Sequence, residues 1–86
     1  MEELRILRKK IDSVDKKILM LLVKRIELVK KIGEYKRKVG KVIVDKKREK
    51  EKIDRLEIIG KKHGIKREAI EKAWKAFFEI AYLQQK

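Results

Sequence analysis

At 86 residues the chain has room for one small domain, and a single core of that size leaves little stability in hand, so self-association is expected from the outset. The absence of Cys excludes a disulfide framework, a thiolate metal site and a cysteine nucleophile, and fits a reducing cytoplasm. Lys and Arg number 27 against 14 Asp and Glu, a formal charge of +13, which favours anionic partners such as nucleic acid or small carboxylates.

The first predicted element is a helix from Glu2 to Val39. Steps of three and four residues carry one seam from Leu4 through Leu7, Ile11, Val14, Ile18, Leu21, Arg25, Leu28, Ile32 and Tyr35 to Val39, with Arg25 as its one charged member. A charge in that stripe must be desolvated unless anions or acceptors meet it. It is either a buried ion pair, a register-setting polar residue, or the floor of an anion pocket. Such a helix is roughly 55 Å long, whereas a compact domain of this size has a radius of gyration near 12 Å. Two shorter helices cannot cover the seam, so a second copy must, which predicts an intertwined homodimer.

A connection from Gly40 to Val44, with the β-branched run Val42, Ile43 and Val44, separates the long helix from the second. Asp45 is the predicted N-cap of that helix, which carries Ile53, Leu56 and Ile59 on one side and ends near Gly60. His63 and Gly64 fall in the turn that follows, and a lone His has no companion ligands for a metal. The third helix runs from Lys66 to the C-terminus on a stripe of Ile70, Trp74, Phe77 and Ala81. The chain therefore reads as all-α, a single domain over residues 1–86 with three helices, one very long. No strand, repeat or low-complexity segment is predicted.

No apolar run approaches bilayer length, the longest being of the kind seen at Ile18 to Val23, so neither a membrane span nor a signal peptide is expected and a cytoplasmic protein is. The basic residues are spread along every segment among glutamates, and the few aromatics make no base-stacking platform, which disfavours nucleic acid. The high charge content, without Asn, Thr, Pro or Cys, resembles the usage of heat-adapted proteins.

Each helix also puts a polar group on its apolar side. Lys36 lies eleven residues beyond Arg25, three turns plus about 20°, on nearly the same face. Glu49 precedes Ile53 and Leu56 at helical spacing, Arg48 beside it can reach an anion near the helix start, and Gln85 extends the third stripe past Ala81. Plainer readings exist for each: Arg8 pairing with Asp12, Lys36 reaching water, Glu49 serving only the helix start, Gln85 fraying.

Taken in order, Leu7-Arg8-Lys9-Lys10-Ile11-Asp12 with Asp15, Leu21-Leu22 with Arg25, Ile32-Gly33 with Lys36, Asp45 with Arg48-Glu49, and Gln85 resemble the small all-helical class of chorismate mutases over essentially the whole chain. The resemblance implies a three-helix protomer, an interlocked dimer with two equivalent sites, and rearrangement of chorismate to prephenate on the path to phenylalanine and tyrosine. It also implies roles. Arg25 would hold one substrate carboxylate and Arg8, from the other subunit, the second. Lys36 and Gln85 would donate to the ether oxygen, Glu49 would accept from the substrate hydroxyl, Asp45 would orient that group, and Arg48 would complete the positive wall. A unimolecular rearrangement needs no cofactor, metal or nucleophile; it needs a selected conformer and stabilised charge.

Two departures from the family pattern stand out: Ala81 where a polar residue is frequent, and Val42 and Lys46 where proline is frequent. The first removes one expected hydrogen bond to a carboxylate, and the second affects loop stiffness. An isochorismate pyruvate lyase on the same fold, and a basic helical dimer that binds nucleic acid, are the alternative readings.

Overall fold

The structure, a computed structural model, describes residues 1–38, 40 and 45–84. The predicted β-branched run Val42, Ile43 and Val44, together with Val39 and Gln85, lies outside them. The described residues form three helices and no strand: α1 Glu2–Lys38, α2 Lys46–Lys62 and α3 Arg67–Gln84. Glu2 and Glu3 open α1, and Lys36, Arg37 and Lys38 close it, each sign at the end where the helix dipole favours it.

Asp45 caps α2. Its backbone is extended (φ −130°, ψ 93°) and its Oδ1 accepts from the Arg48 backbone N–H at 3.0 Å, satisfying one of the donors a helix start leaves open. The sequence placed the end of α2 near Gly60, but the helix continues to Lys62. The stop comes later because the Gly60 carbonyl accepts from the N–H groups of His63 (3.0 Å) and Ile65 (2.9 Å), and Gly64 takes the left-handed conformation (φ 73°) that ends the turn. Gly60 is instead a packing residue. A Cβ there would stand 2.6 Å from Ile70 Cδ1 and 3.1 Å from the Ile65 carbonyl oxygen, so the missing side chain lets α2 approach α3.

The same approach corrects the predicted α2 stripe. Gly60 falls within about 20° of Ile53 on the helical wheel, whereas Ile59 is about 120° away. Ile53 is accordingly buried and Ile59 is 56% exposed. Across the joint, Arg67 binds Asp54 (2.9 Å), Glu57 (2.8 Å) and Glu71 (3.4 Å), tying the start of α3 to α2. Hydrogen bonds from Lys50 and Arg67 hold the Asp54 carboxyl below the usual carboxylate range.

α3 packs against both α1 and α2 and joins them. Ile70 and Ala81 are buried and Trp74 and Phe77 half-buried, the latter pair edge to face with ring centroids 5.1 Å apart. α1 extends well past this junction, giving extents of 57 × 25 × 15 Å and a radius of gyration of 16.3 Å. That exceeds the roughly 12 Å of a compact chain of this length. Along the α1 seam the apolar side chains from Leu4 to Tyr35 are exposed in the single chain, and only Arg25 is half-buried. Among the described residues, no helix is long and apolar enough to cross a membrane.

Candidate functional site

Where the C-terminal half of α1, the start of α2 and the end of α3 meet, they enclose a cleft of about 130 Å³. Arg25 and Lys36 reach it from α1 with Val29 and Ile32; Asp45, Arg48, Glu49 and Lys52 come from the start of α2; Phe78, Ala81 and Tyr82 come from α3. Five of the seven residues singled out from the sequence thus share one cavity. Four cations face two carboxylates there.

Arg25 is fixed by α3. Its Nη1 donates to the Phe77 carbonyl oxygen at 3.5 Å, a long bond, and its guanidinium lies 5.5 Å from the centroid of the Phe78 ring. Burial pushes its pKa down, and the Glu49 carboxylate opposes the shift. Of its five donors, one is used among the described residues, by the carbonyl. The seam arginine is therefore held in place with most of its hydrogen-bonding capacity left for an anion. It also borders a cavity of about 380 Å³ lined by Ile18, Leu21, Leu22, Ala73, Trp74 and Phe77.

Glu49 has a side chain only 19% exposed and is held from two helices. Its Oε2 accepts from the Tyr82 hydroxyl, and its Oε1 lies 3.5 Å from Lys46 Nζ. Lys46 in turn sits 5.9 Å from the Tyr82 ring centroid. Asp45 is exposed and commits one oxygen to the α2 cap.

Sequence reasoning missed Lys52, Tyr82 and Phe78. Lys52 is four residues after Arg48 and three after Glu49, the spacing that keeps all three on one face. Tyr82 and Phe78 are one turn apart on α3 and could have been found the same way. The apolar stripe was traced there through Phe77 and Ala81 instead.

One of the seven is not in the cleft. Arg8 is exposed near the start of α1, about 25 Å along the axis from Arg25, and it makes no ion pair with Asp12. Gln85 lies outside the described residues. His63 is exposed in the turn after α2, and among the described residues no three His, Cys, Asp or Glu side chains gather to hold a metal. At about 130 Å³ the cleft of one chain is smaller than the usual 300 Å³ or more of a ligand pocket. What it offers is preorganised positive charge, one restrained carboxylate and an apolar floor, which suits binding and orienting a small dianion.

The family model for chorismate mutase type II matches residues 7–86. A protein named chorismate mutase from Methanocaldococcus jannaschii is 42% identical over 64 residues, which cover 74% of this chain and 65% of that protein. A bifunctional chorismate mutase/prephenate dehydratase from Buchnera aphidicola is 37% identical over 81 residues, 94% of this chain and 21% of that protein. A T-protein from Haemophilus influenzae is 33% identical over 85 residues, 99% of this chain and 22% of that protein. The chain thus spans 65% of the first relative and about a fifth of the other two.

Proposed function

The chain belongs to the chorismate mutase type II family, and we propose that it catalyses the intramolecular rearrangement of chorismate to prephenate in aromatic amino acid biosynthesis. The observation that carries the reading is the convergence of Arg25, Lys36 and Arg48 with a restrained Glu49 in one cleft. Chorismate is a dianion with one hydroxyl and a breaking ether bond, and this inventory answers each part. Arg25 and Arg48 take a carboxylate, Glu49 accepts from the hydroxyl, and Asp45 orders the α2 start beside it. Lys36 and Gln85 donate to the ether oxygen as charge develops there. Even a million-fold acceleration asks for only about 8 kcal/mol, within reach of fixed cationic donors in a site closed to water.

Closure requires a second copy. Arg8 is exposed, has no partner among the described residues and is far along α1 from its own cleft, so in this reading it serves the cleft of the other protomer and binds the second carboxylate. In this reading residues 1–86 act as one mutase unit within a cytoplasmic homodimer. Incubation with chorismate should show loss of its absorbance with prephenate as product; a folded protein that leaves chorismate unchanged overturns the proposal. Pyruvate release from isochorismate, assayed in parallel, would identify the lyase instead.

Gln85 gives the reading a pH signature. Its amide donates at any pH, whereas an ionised carboxylate only accepts and repels the developing negative charge. Gln85→Glu should therefore be most active in acid and lose turnover as the carboxyl ionises, while the parent changes little. Parity of the two at mildly alkaline pH, with both folded by circular dichroism, removes Gln85 from the breaking bond.

A further inference from the structure

Among the described residues, Lys52 is a cleft charge that its surroundings oppose without an answering carboxylate. It is half-buried on α2 and makes no hydrogen bond or ion pair with any described residue. Facing the same space are Arg25 and Lys36 from α1, Asp45, Arg48 and Glu49 from α2, and Tyr82 from α3, with Arg55 one turn further along α2. Both carboxylates are already engaged, Asp45 with the α2 backbone and Glu49 with Tyr82 and Lys46. Burial pushes the Lys52 pKa down, and Arg25, Arg48 and Arg55 push it further. Burial and like charge both disfavour the ammonium in the empty cleft, and an anion entering the cleft offsets them.

We propose that Lys52 is a substrate-binding residue of this cleft, its ammonium closing on a carboxylate of the bound dianion together with Arg25 and Arg48. The proposal rests on the mutase reading above and adds to it a cation that the resemblance did not supply. Lys52 and Arg48 are four residues apart and project from one face of α2, so a carboxylate between them meets both without any movement of the helix. Since the bound anion favours the charged ammonium, affinity should weaken as pH rises through the lowered pKa of Lys52.

The test compares Lys52→Met, which keeps the apolar stem, with Lys52→Arg, which keeps the charge. Lys52→Met should raise KM for chorismate about 10- to 100-fold, the worth of a charge-assisted hydrogen bond, with kcat changed by less than about threefold because the group binds the ground state as well. Its melting temperature should equal or exceed the parent's, since a repelled charge has gone. Lys52→Arg should restore KM and flatten its rise in alkali. A KM for Lys52→Met within about twofold of the parent overturns the proposal, and so does a raised KM accompanied by a lower melting temperature, the mark of a structural role. A thermal-shift titration with prephenate, also a dicarboxylate, reads the cluster without turnover. If the parent binds prephenate but does not turn over chorismate, the mutase reading fails, and Lys52 is judged by whether Lys52→Met weakens that binding. A parent that does neither overturns both.

Discussion

Arg8→Ala and Arg25→Ala should each retain about a hundredth to a thousandth of parental turnover, the loss typical when a fixed donor is taken from a developing charge. A mixture of the two inactive proteins should nevertheless recover activity. If Arg25 belongs to the cleft of its own chain and Arg8 to the cleft of the partner, a mixed dimer has one site lacking both arginines and one with both intact. Random exchange makes half of the dimers mixed, so recovery should approach about a quarter of the parental rate. The measurement is turnover of the mixture against time, with exchange followed independently by mass spectrometry of differently labelled chains. Full exchange without recovery would mean that both arginines act in the same site from one chain, or that Arg8 is not a ligand at all.

Arg25 was legible because it violates a pattern: a charge in a stripe of leucines and isoleucines has a cost that needs an explanation, and the structure shows it half-buried beneath Phe77 and Phe78. Glu49 was legible for a related reason, lying just inside the α2 cap where helical spacing turns it toward the apolar stripe, and Arg48 because it stands beside Glu49 at a helix start that favours anions. Lys52 violates nothing. In a chain with 27 basic residues a lysine is by default a solvated surface group, and only the packing of α1 and α2 against α3 reveals that this one lines a cleft. Tyr82 was hidden in a similar way, since an aromatic residue near the end of an apolar helix reads as core until its hydroxyl is seen on Glu49.

Element boundaries failed where tertiary contact overrode local preference. Gly60 looks like a helix stop when only the chain is considered. Its place against Ile70 shows that the residue answers a packing requirement, and the stop belongs to Gly64. Ile59 was assigned to the apolar stripe from its three-residue spacing, but the contact surface follows Ile53 and Gly60 round the helix and leaves Ile59 outside.

The α1 seam leads to the largest effect on stability. Among the described residues, the buried apolar side chains of the single chain are Ile53, Ile70 and Ala81, while Leu4, Leu7, Ile11, Val14, Ile18, Leu21, Leu28, Ile32 and Tyr35 remain 44 to 66% exposed. Fully burying a large apolar side chain contributes about 1.5 to 3 kcal/mol, so covering the exposed half of each residue in that row outweighs the whole core that one chain builds alone. Folding and dimer formation should therefore be one transition. Each tenfold dilution should lower the stability of the folded dimer by about 1.4 kcal/mol, with helical circular dichroism and sedimenting mass falling together. Ile11→Lys, which sets an ammonium within the row, should unfold at concentrations where the parent is fully dimeric. The decisive observation is the species present below the dissociation midpoint. A helical monomer that still turns over chorismate would leave the exposed seam without a function and would take away the basis for assigning Arg8 to the other subunit's site, whereas loss of helix, mass and activity at a common midpoint ties the fold and the active site to the same interface.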